Sequence, residues 1–335
     1  MYDSLLYGYG LTLAIFDKLK KLTVERNETV NFYFNFNDFL KAFLHAEDHK
    51  RIIRNFNKYF KLNRKTQKAH DDTKAFLIAN ENEIYSLGFE RWISKHIFNK
   101  DNPQISNMIV YTYILYNYWY HLLYSQILQL PYSLDFIAKA GIYIERKFGS
   151  KMQIYTTNFD TILDTSLSPK HIHGTFALPL EKMKDLILDL DREKNEFEYT
   201  YLLGTNGFEK LNSLNLIRPL NQSYYDLDFF FQDNLKLDNL MIYGMSFGYN
   251  QIMPTDYLEA NPEHKNFTLL RSVDGHILSR INALYLKNRI NKITISYFSD
   301  DDLEGLENII GTTDFHTIVQ FVQSNELFDF NTVAR

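Results

Sequence analysis

The chain has 335 residues, of which 45% are hydrophobic and 23% are charged, and this balance excludes a disordered chain. A formal net charge of -5 provides no overall basic field for phosphate backbones, so we predict no direct binding of nucleic acid. The absence of cysteine excludes disulfides and thiolate metal sites. Together with the lack of a secretory signal in "MYDSLLYGYG", it predicts a cytoplasmic protein.

In chain order, the predicted elements begin with a strand in "SLLYGYG", which is short, apolar and ends in glycines. Apolar residues then recur three and four positions apart, as in "NDFLKAFLHAEDHKRIIRNFNKYF" and "YSLDFIAKAGIYIERKF", which predicts a helical block. Strands return as "MQIYTTN", "EYTYLLGTNG", "NLMIYGMSFG" and "KITISYFSDDD", with the helical pattern "GHILSRINALYLKNRI" between the last two. We therefore predict an open parallel α/β sheet with a large helical insertion after the first strand.

One uncharged stretch, residues 102–134, is long enough to raise the question of a membrane span. Its polar residues, among them Asn117, His121 and Gln126, make it less apolar than a spanning helix. We predict a helix that is buried on several sides or faces a partner, and no membrane contact. The 24 tyrosines and 27 phenylalanines of the chain fit either core packing or an interaction surface.

Small and polar residues follow the predicted strands, at the ends where open parallel sheets bind ligands. In "GYGLT", Gly8 and Gly10 allow close approach of a phosphate, and Thr12 adds a hydroxyl near a helix start. In "GMSFGYN", Gly244 and Ser246 are small enough to lie close to a ribose or phosphate. Both segments fit an ordinary tight turn equally well.

The segment "TTNFD" places four hydrogen-bonding side chains at a strand end: Thr156, Thr157, Asn158 and Asp160. It fits a ligand site, and equally a helix start at which Asn158 or Asp160 caps free amides. In the following "HIHG", His173 lies fifteen positions after Asn158 and precedes a glycine that gives a ligand room. The gap between Asn158 and His173, which contains Pro169, has room for a helix, a turn and a return strand.

"TTNFD" followed by "HIHG" resembles the paired motifs of the sirtuin-like superfamily, in which a T-x-N-x-D segment and a downstream His-Gly flank the nicotinamide ribose of NAD. "LLYGYGLT" is similar to a degenerate form of the first glycine loop of that family, and "IYGMSFG" resembles its late Gly-x-Ser loop. In layout the chain resembles the sirtuin-like branch of bacterial antiphage defence, including abortive-infection proteins of the AbiH type. The resemblance implies a Rossmann-like NAD-binding domain over residues 1–30 and 151–335 and a helical insertion over residues 31–150.

The resemblance also implies a role for each matching residue. Asn158 would position the ribose or an attacking water, His173 would be the acid–base histidine, and Asp160 would hold the carboxamide or order the site. The remaining residues would contact other parts of NAD: Gly8, Gly10 and Thr12 at the diphosphate, Gly244 and Ser246 at the adenosine half, and Thr157 and Gly174 within the same cofactor site.

Protein-deacylating sirtuins carry a four-cysteine zinc module, which this chain cannot build. The prediction is therefore a metal-independent NAD glycohydrolase that needs no cofactor beyond its substrate and acts as a toxic effector in antiphage abortive infection. The same pocket would serve a non-hydrolytic sensor that binds NAD or ADP-ribose and signals to a partner protein. Because a free NAD hydrolase would poison its own cell, we expect control by homo-oligomerisation, by a sensor or ATPase partner, or by both.

Overall fold

The computed structural model of the chain describes residues 2–25, 33, 36–45, 49–59, 67–87, 92, 115–116, 118–119, 122–123, 130, 132–158, 162–172, 235–247 and 274–333. These residues divide into two units. The sheet unit contains the described residues within 2–25, 130–172 and 235–333, and the helical unit contains those within 33–123.

Among the described residues, six strands form one sheet in which every neighbouring pair is parallel. In chain order they are β1 Tyr2–Tyr7, β2 Phe148–Thr156, β3 Lys170–His171, β4 Asn239–Tyr243, β5 Lys292–Tyr297 and β6 Val319–Gln323. Their order across the sheet is β3-β2-β1-β4-β5-β6, which is the order of dinucleotide-binding Rossmann folds. The predicted fold class, a Rossmann-like open parallel α/β sheet with a helical insertion after the first strand, is confirmed.

Both units contain helices. Those of the sheet unit are α1 Tyr9–Glu25, α6 Ser133–Glu145, α7 Asp164–Leu167, α8 Gly275–Leu286, α9 Asp300–Ile310 and α10 Ser324–Leu327, with 3-10 turns at Asp314–Ile318 and Phe330–Thr332. In the helical unit, the helices whose bounds fall within the described residues are α2 Phe36–Leu44, α3 His49–Tyr59, α4 Gln67–Ala79 and α5 Glu81–Leu87.

The predicted elements agree with these bounds where the structure describes them. The four apolar bursts that begin at Ser4, Met152, Asn239 and Lys292 lie in β1, β2, β4 and β5. The predicted strand "EYTYLLGTNG" lies outside the described residues. The return strand expected near "HIHG" is β3, which has only two residues. The strand β6 is not predicted from the sequence, because it carries exposed glutamines at the edge of the sheet.

The predicted domain boundary differs from the division that the structure shows. The sequence pattern put residues 31–150 into the helical insertion, whereas the described residues from 130 to 150 belong to the sheet unit. This segment contains α6, which leads into β2 and packs against that strand and against α1. The helix period of "YSLDFIAKAGIYIERKF" is correct, but periodicity does not indicate which core a helix joins.

The central strands are buried on both faces, which explains their near-continuous apolar sequences. In β1, β4 and β5, four consecutive residues are buried. On one face Leu6, Ile242 and Ile295 belong to a core cluster that includes the buried side chains of α8 and α9, such as Ile281 and Leu306. Successive strand residues point to opposite faces, so Tyr243 lies on the other face from Ile242.

The C-terminal segment after β6 returns across this second face of the sheet. The Phe328 ring lies 5.0 Å from that of Tyr243, and the rings of Phe328 and Phe330 lie 6.3 and 6.1 Å from that of Tyr143 in α6. The N–H of Asp329 donates to the Tyr143 hydroxyl at 3.3 Å. The segment therefore links the β6 edge to the helix that precedes β2.

The helical unit has an aromatic core. Its fully buried aromatic side chains are Phe39, Phe43, Phe56, Trp92 and Trp119. In the uncharged stretch, Leu115, Tyr118, Trp119 and Leu123 are helical and buried, as predicted. The Trp119 Nε1–H donates to the Tyr33 carbonyl at 2.6 Å, so these aromatic residues serve core packing. Within the described part of the chain, no helix is long and apolar enough to cross a bilayer.

The core position of Ile242 leads to a stability prediction. Ile242 is fully buried in β4, so Ile242→Ala removes apolar contacts and leaves a cavity, and we expect a loss of about 2–5 kcal/mol in the free energy of unfolding. Urea unfolding followed by circular dichroism measures the loss. Leu286→Ala is the control, because Leu286 is 62% exposed and its truncation is expected to cost less than about 0.5 kcal/mol. Equal losses in the two variants would contradict this assignment of the core.

Candidate functional site

The strand order reverses beside β1, and this position defines the candidate site. The chain adds β2 and β3 on one side of β1 and then crosses to β4 on the other side. In open parallel sheets, ligands bind beyond the carboxyl ends of the strands at such a point. The described residues of the predicted site all follow β1, β2 or β4 at this edge: Gly8, Gly10, Thr12, Thr157, Asn158, Gly244 and Ser246.

Three glycines bring the loops after β1 and β4 into direct backbone contact. The Gly8 N–H donates to the Tyr243 carbonyl and the Gly10 N–H to the Gly244 carbonyl, both at 3.0 Å. A Cβ on Gly10 would lie 2.6 Å from the Gly244 Cα, and a Cβ on Gly244 would lie 2.5 Å from the Leu11 nitrogen. We call this arrangement of Gly8, Gly10 and Gly244 the glycine contact. The space between the two loops admits backbone atoms but no Cβ at Gly10 or Gly244.

The glycine contact changes how the first loop can act on a diphosphate. The resemblance assigns Gly8 and Gly10 to that group, yet the N–H groups of both residues already donate to protein carbonyls. Their contribution is therefore steric, since they allow α1 to begin close beside the end of β4. The positive end of the 17-residue helix α1 lies at this edge, where it favours an anionic group.

The loop after β4 is anchored from the neighbouring strand. Gly244 has a left-handed φ of 66°, and its N–H donates to the Ser296 hydroxyl of β5 at 2.9 Å. Met245 is buried beside Gly8, and Ser246 is half-buried at the same edge. Gly244 and Ser246 thus lie next to the first loop, where the sequence analysis placed them.

Asn158 connects the segment "TTNFD" to the segment "GYGLT". Its side chain is buried, with 5% of the residue surface exposed, and its Nδ2 donates to the Thr12 hydroxyl oxygen at 3.0 Å. Its backbone N–H donates to the Thr156 hydroxyl oxygen at 3.0 Å, and the Thr156 hydroxyl donates to the Tyr7 carbonyl. The N–H of Thr157 also donates to the Tyr7 carbonyl, at 3.1 Å. Two motifs that are far apart in the sequence therefore meet through side-chain hydrogen bonds.

A histidine that the sequence analysis did not select lies beside Asn158. The His171 Nδ1 is 2.8 Å from the Asn158 carbonyl oxygen, and its Nε2 is 3.0 and 3.2 Å from the two carboxylate oxygens of Asp164. The His171 side chain is 9% exposed and that of Asp164 is 34% exposed. The pattern "HIHG" contains both histidines, and because residues two positions apart on a strand face the same side, alternation alone does not distinguish His171 from His173.

Three residues of the predicted site, Asp160, His173 and Gly174, lie outside the described residues, so the roles assigned to them stay predictions. In the described part of the site, the groups around Asn158 are hydroxyls, amides and carbonyls, and the ionisable pair beside it is Asp164 and His171. No cluster of three or more His, Cys, Asp or Glu side chains that could hold a metal ion occurs among the residues that the structure describes.

Two tyrosines of the neighbouring strands are un-ionised at neutral pH. Burial raises the pKa of Tyr155 in β2 to about 12. Burial also raises the pKa of Tyr243 in β4 well above the ordinary tyrosine value. Their hydroxyls donate to Gln153 Oε1 at 2.7 Å and to the Ser324 carbonyl at 3.4 Å. These tyrosines support the strands as neutral hydrogen-bond donors.

No family model, curated protein or solved structure matches the chain.

The glycine contact predicts a strong effect of Gly244→Ala. Alanine at this position combines an unfavourable φ with a Cβ placed against Leu11 and Gly10, so we expect a loss of about 2–4 kcal/mol in the free energy of unfolding. Chemical unfolding of both proteins measures it. Asn288→Gly is the matched control, because the exposed Asn288 also has a positive φ, of 54°, and loss of its Cβ should change stability by less than about 1 kcal/mol. An unchanged unfolding midpoint in Gly244→Ala would contradict the close contact.

Proposed function

We propose that the chain binds NAD at the carboxyl edge of the sheet and hydrolyses it to nicotinamide and ADP-ribose. The observation that carries this proposal is the hydrogen bond between the buried Asn158 side chain and Thr12 at the point where strand order reverses. It joins the two segments whose sequences resemble the ribose-binding and diphosphate-binding motifs of sirtuin-like proteins.

The surroundings of Asn158 support a dinucleotide as the ligand. The sheet has the strand order of dinucleotide-binding folds, and such folds bind across the reversal point beside β1. The glycine contact keeps side chains away from the reversal point, and the N-terminus of α1 favours the negative charge of a diphosphate. Ser246 after β4 lies on the side where the adenosine half would extend.

The proposed reaction adds water to the anomeric carbon of the nicotinamide ribose. The carbon–nitrogen bond breaks, its electron pair goes to the cationic pyridinium, and nicotinamide leaves as a neutral molecule. The water oxygen forms the new bond and loses one proton. Because the leaving group needs no protonation, catalysis comes from orienting the ribose and the water and from stabilising positive charge on the sugar.

Asn158 suits this task because its amide is neutral and both donates and accepts hydrogen bonds. With Nδ2 directed to Thr12, its Oδ1 is oriented by the same contact. His173 is the proposed proton acceptor, a role that typically contributes 10²–10⁴-fold, roughly, to the rate. Asp160 is proposed to hold the carboxamide of the substrate. The chain needs no metal for any of these steps.

The biological setting that we propose is antiphage defence, in which depletion of NAD stops growth of the infected cell. An enzyme with this activity must be silent until infection. We therefore propose that a homo-oligomer, a sensor or ATPase partner protein, or both control it. This part of the proposal follows from the family resemblance and from the toxicity of the reaction.

The decisive experiment is to incubate the purified chain with NAD and to follow nicotinamide and ADP-ribose by chromatography. We expect Asn158→Ala to lower the rate by about 10²-fold or more while its circular dichroism spectrum is unchanged. Asn308→Ala, at an exposed asparagine of α9, is the matched control and should keep the wild-type rate.

Each outcome of this experiment has a separate meaning. Full activity in a folded Asn158→Ala protein would exclude this site. Absence of turnover by the wild-type chain at every concentration, together with calorimetric binding of NAD or ADP-ribose that Asn158→Ala removes, would mean either a nucleotide sensor or a hydrolase that its partner must activate. Absence of both turnover and binding would overturn the proposal.

A further inference from the structure

The side chain of His171 is enclosed between two oxygen acceptors. Its Nδ1 lies 2.8 Å from the Asn158 carbonyl oxygen, and its Nε2 lies 3.0 Å from Asp164 Oδ1. Asp164 is the first residue of α7, and His171 is the last residue of β3, so the imidazole joins three chain segments. Lys170, which precedes His171 in β3, directs its ammonium group over the Tyr155 ring, 5.7 Å from the ring centroid.

The two contacts together require an N–H group on each ring nitrogen of His171. A carbonyl oxygen and an ionised carboxylate only accept hydrogen bonds, so each needs an N–H donor from the ring. A neutral imidazole has one N–H and would turn a nitrogen lone pair toward one of the two oxygens. The doubly protonated ring satisfies both, and the carboxylate of Asp164 balances its charge at a position that is largely withdrawn from water.

His171 completes a set of three hydrogen bonds that hold Asn158. The Asn158 N–H is held by the Thr156 hydroxyl and its Nδ2 by the Thr12 hydroxyl, whereas its carbonyl oxygen is held by His171. The first two bonds run to β2 and α1, and the third runs to β3. Loss of the third bond frees the carbonyl, and rotation of that peptide would turn the Asn158 side chain away from Thr12.

We propose that His171, held as an imidazolium by Asp164, is a positioning residue that fixes Asn158 at the carboxyl edge of the sheet. When the His171 ring loses one proton, its remaining N–H donates to the charged Asp164, which is the stronger acceptor. The hydrogen bond to the Asn158 carbonyl is then lost. The orientation of Asn158 therefore depends on pH. The catalytic consequence rests on the proposed function, whereas the ionised bridge and its hold on Asn158 do not.

The first test measures the bridge without any substrate. The full-length protein is labelled with ¹⁵N on its histidine rings and backbone amides, and the His171 signals are assigned by their loss in His171→Gln. We expect the His171 ring to be doubly protonated at about pH 7, above the range in which an ordinary histidine holds its proton. The Asn158 amide signal should shift with pH at the same midpoint as the ring.

The isosteric variant Asp164→Asn separates an ionised bridge from simple packing. Its side-chain amide can donate to Nε2, so a neutral ring keeps Nδ1–H for the Asn158 carbonyl. We expect a neutral His171 ring at about pH 7 and an Asn158 amide signal that no longer follows pH in this range. The matched control is His45→Gln, which removes the histidine that contacts Glu81 at 2.6 Å in the helical unit and should leave the His171 midpoint unchanged.

The second test measures the catalytic consequence. If the chain hydrolyses NAD, we expect wild-type kcat to fall as pH rises from about 7 to about 9, and this fall to disappear in Asp164→Asn. His171→Gln should lower kcat about 10- to 100-fold with little change in KM, because Asn158 is misplaced while the rest of the site is intact.

The outcomes distinguish this inference from the proposed function. A neutral His171 ring in the wild-type protein at about pH 7 would overturn the inference, with or without NAD hydrolysis. An Asn158 amide signal that does not shift with the ring titration would overturn it as well. Wild-type activity and pH profile in His171→Gln would also overturn it. A doubly protonated ring coupled to Asn158 in a chain that does not cleave NAD would support the bridge and leave the hydrolase without support.

Discussion

The backbone contact between the loops after β1 and β4 is the constraint on which the described edge of the sheet depends. Gly10 can donate to the Gly244 carbonyl only because neither residue has a Cβ. This bond sets where α1 begins, and the start of α1 sets the position of Thr12 opposite Asn158. The Ser296 hydroxyl of β5 holds the loop after β4. The geometry around Asn158 therefore depends on β1, β2, β4, β5 and α1 together.

Much of this architecture follows from the sequence, because the strands that matter most are buried on both faces. The runs around Leu6, Ile242 and Ile295 are apolar over several consecutive residues, and glycines or polar clusters end them. Such a run predicts both a strand and the edge where its carboxyl end lies. The outer strand β6 carries Gln320 and Gln323 on exposed positions, so its sequence lacks that signal.

The function of the glycines was harder to predict than their position. A missing Cβ permits the approach of a ligand and the approach of another backbone equally well, and a local pattern does not distinguish the two. At Gly8 and Gly10 the approaching group is the loop that contains Gly244. Likewise, the pairing of His171 with Asp164 depends on the turn between them, where Ser168 adopts a left-handed φ of 46° that its sequence does not indicate.

The central position of β1 also has a consequence for synthesis on the ribosome. Ser4 pairs with Gln153 on one side and with Leu240 on the other, so β1 leaves the ribosome long before the strands that pair with it. Until then both of its edges are open to other chains. Pairings of such long sequence separation form slowly, whereas α2 contacts α3 and α4 over short separations, and these helices can form early. Translation speed and chaperone access to β1 should therefore influence the yield of folded protein more strongly than in a chain whose central strand is made last.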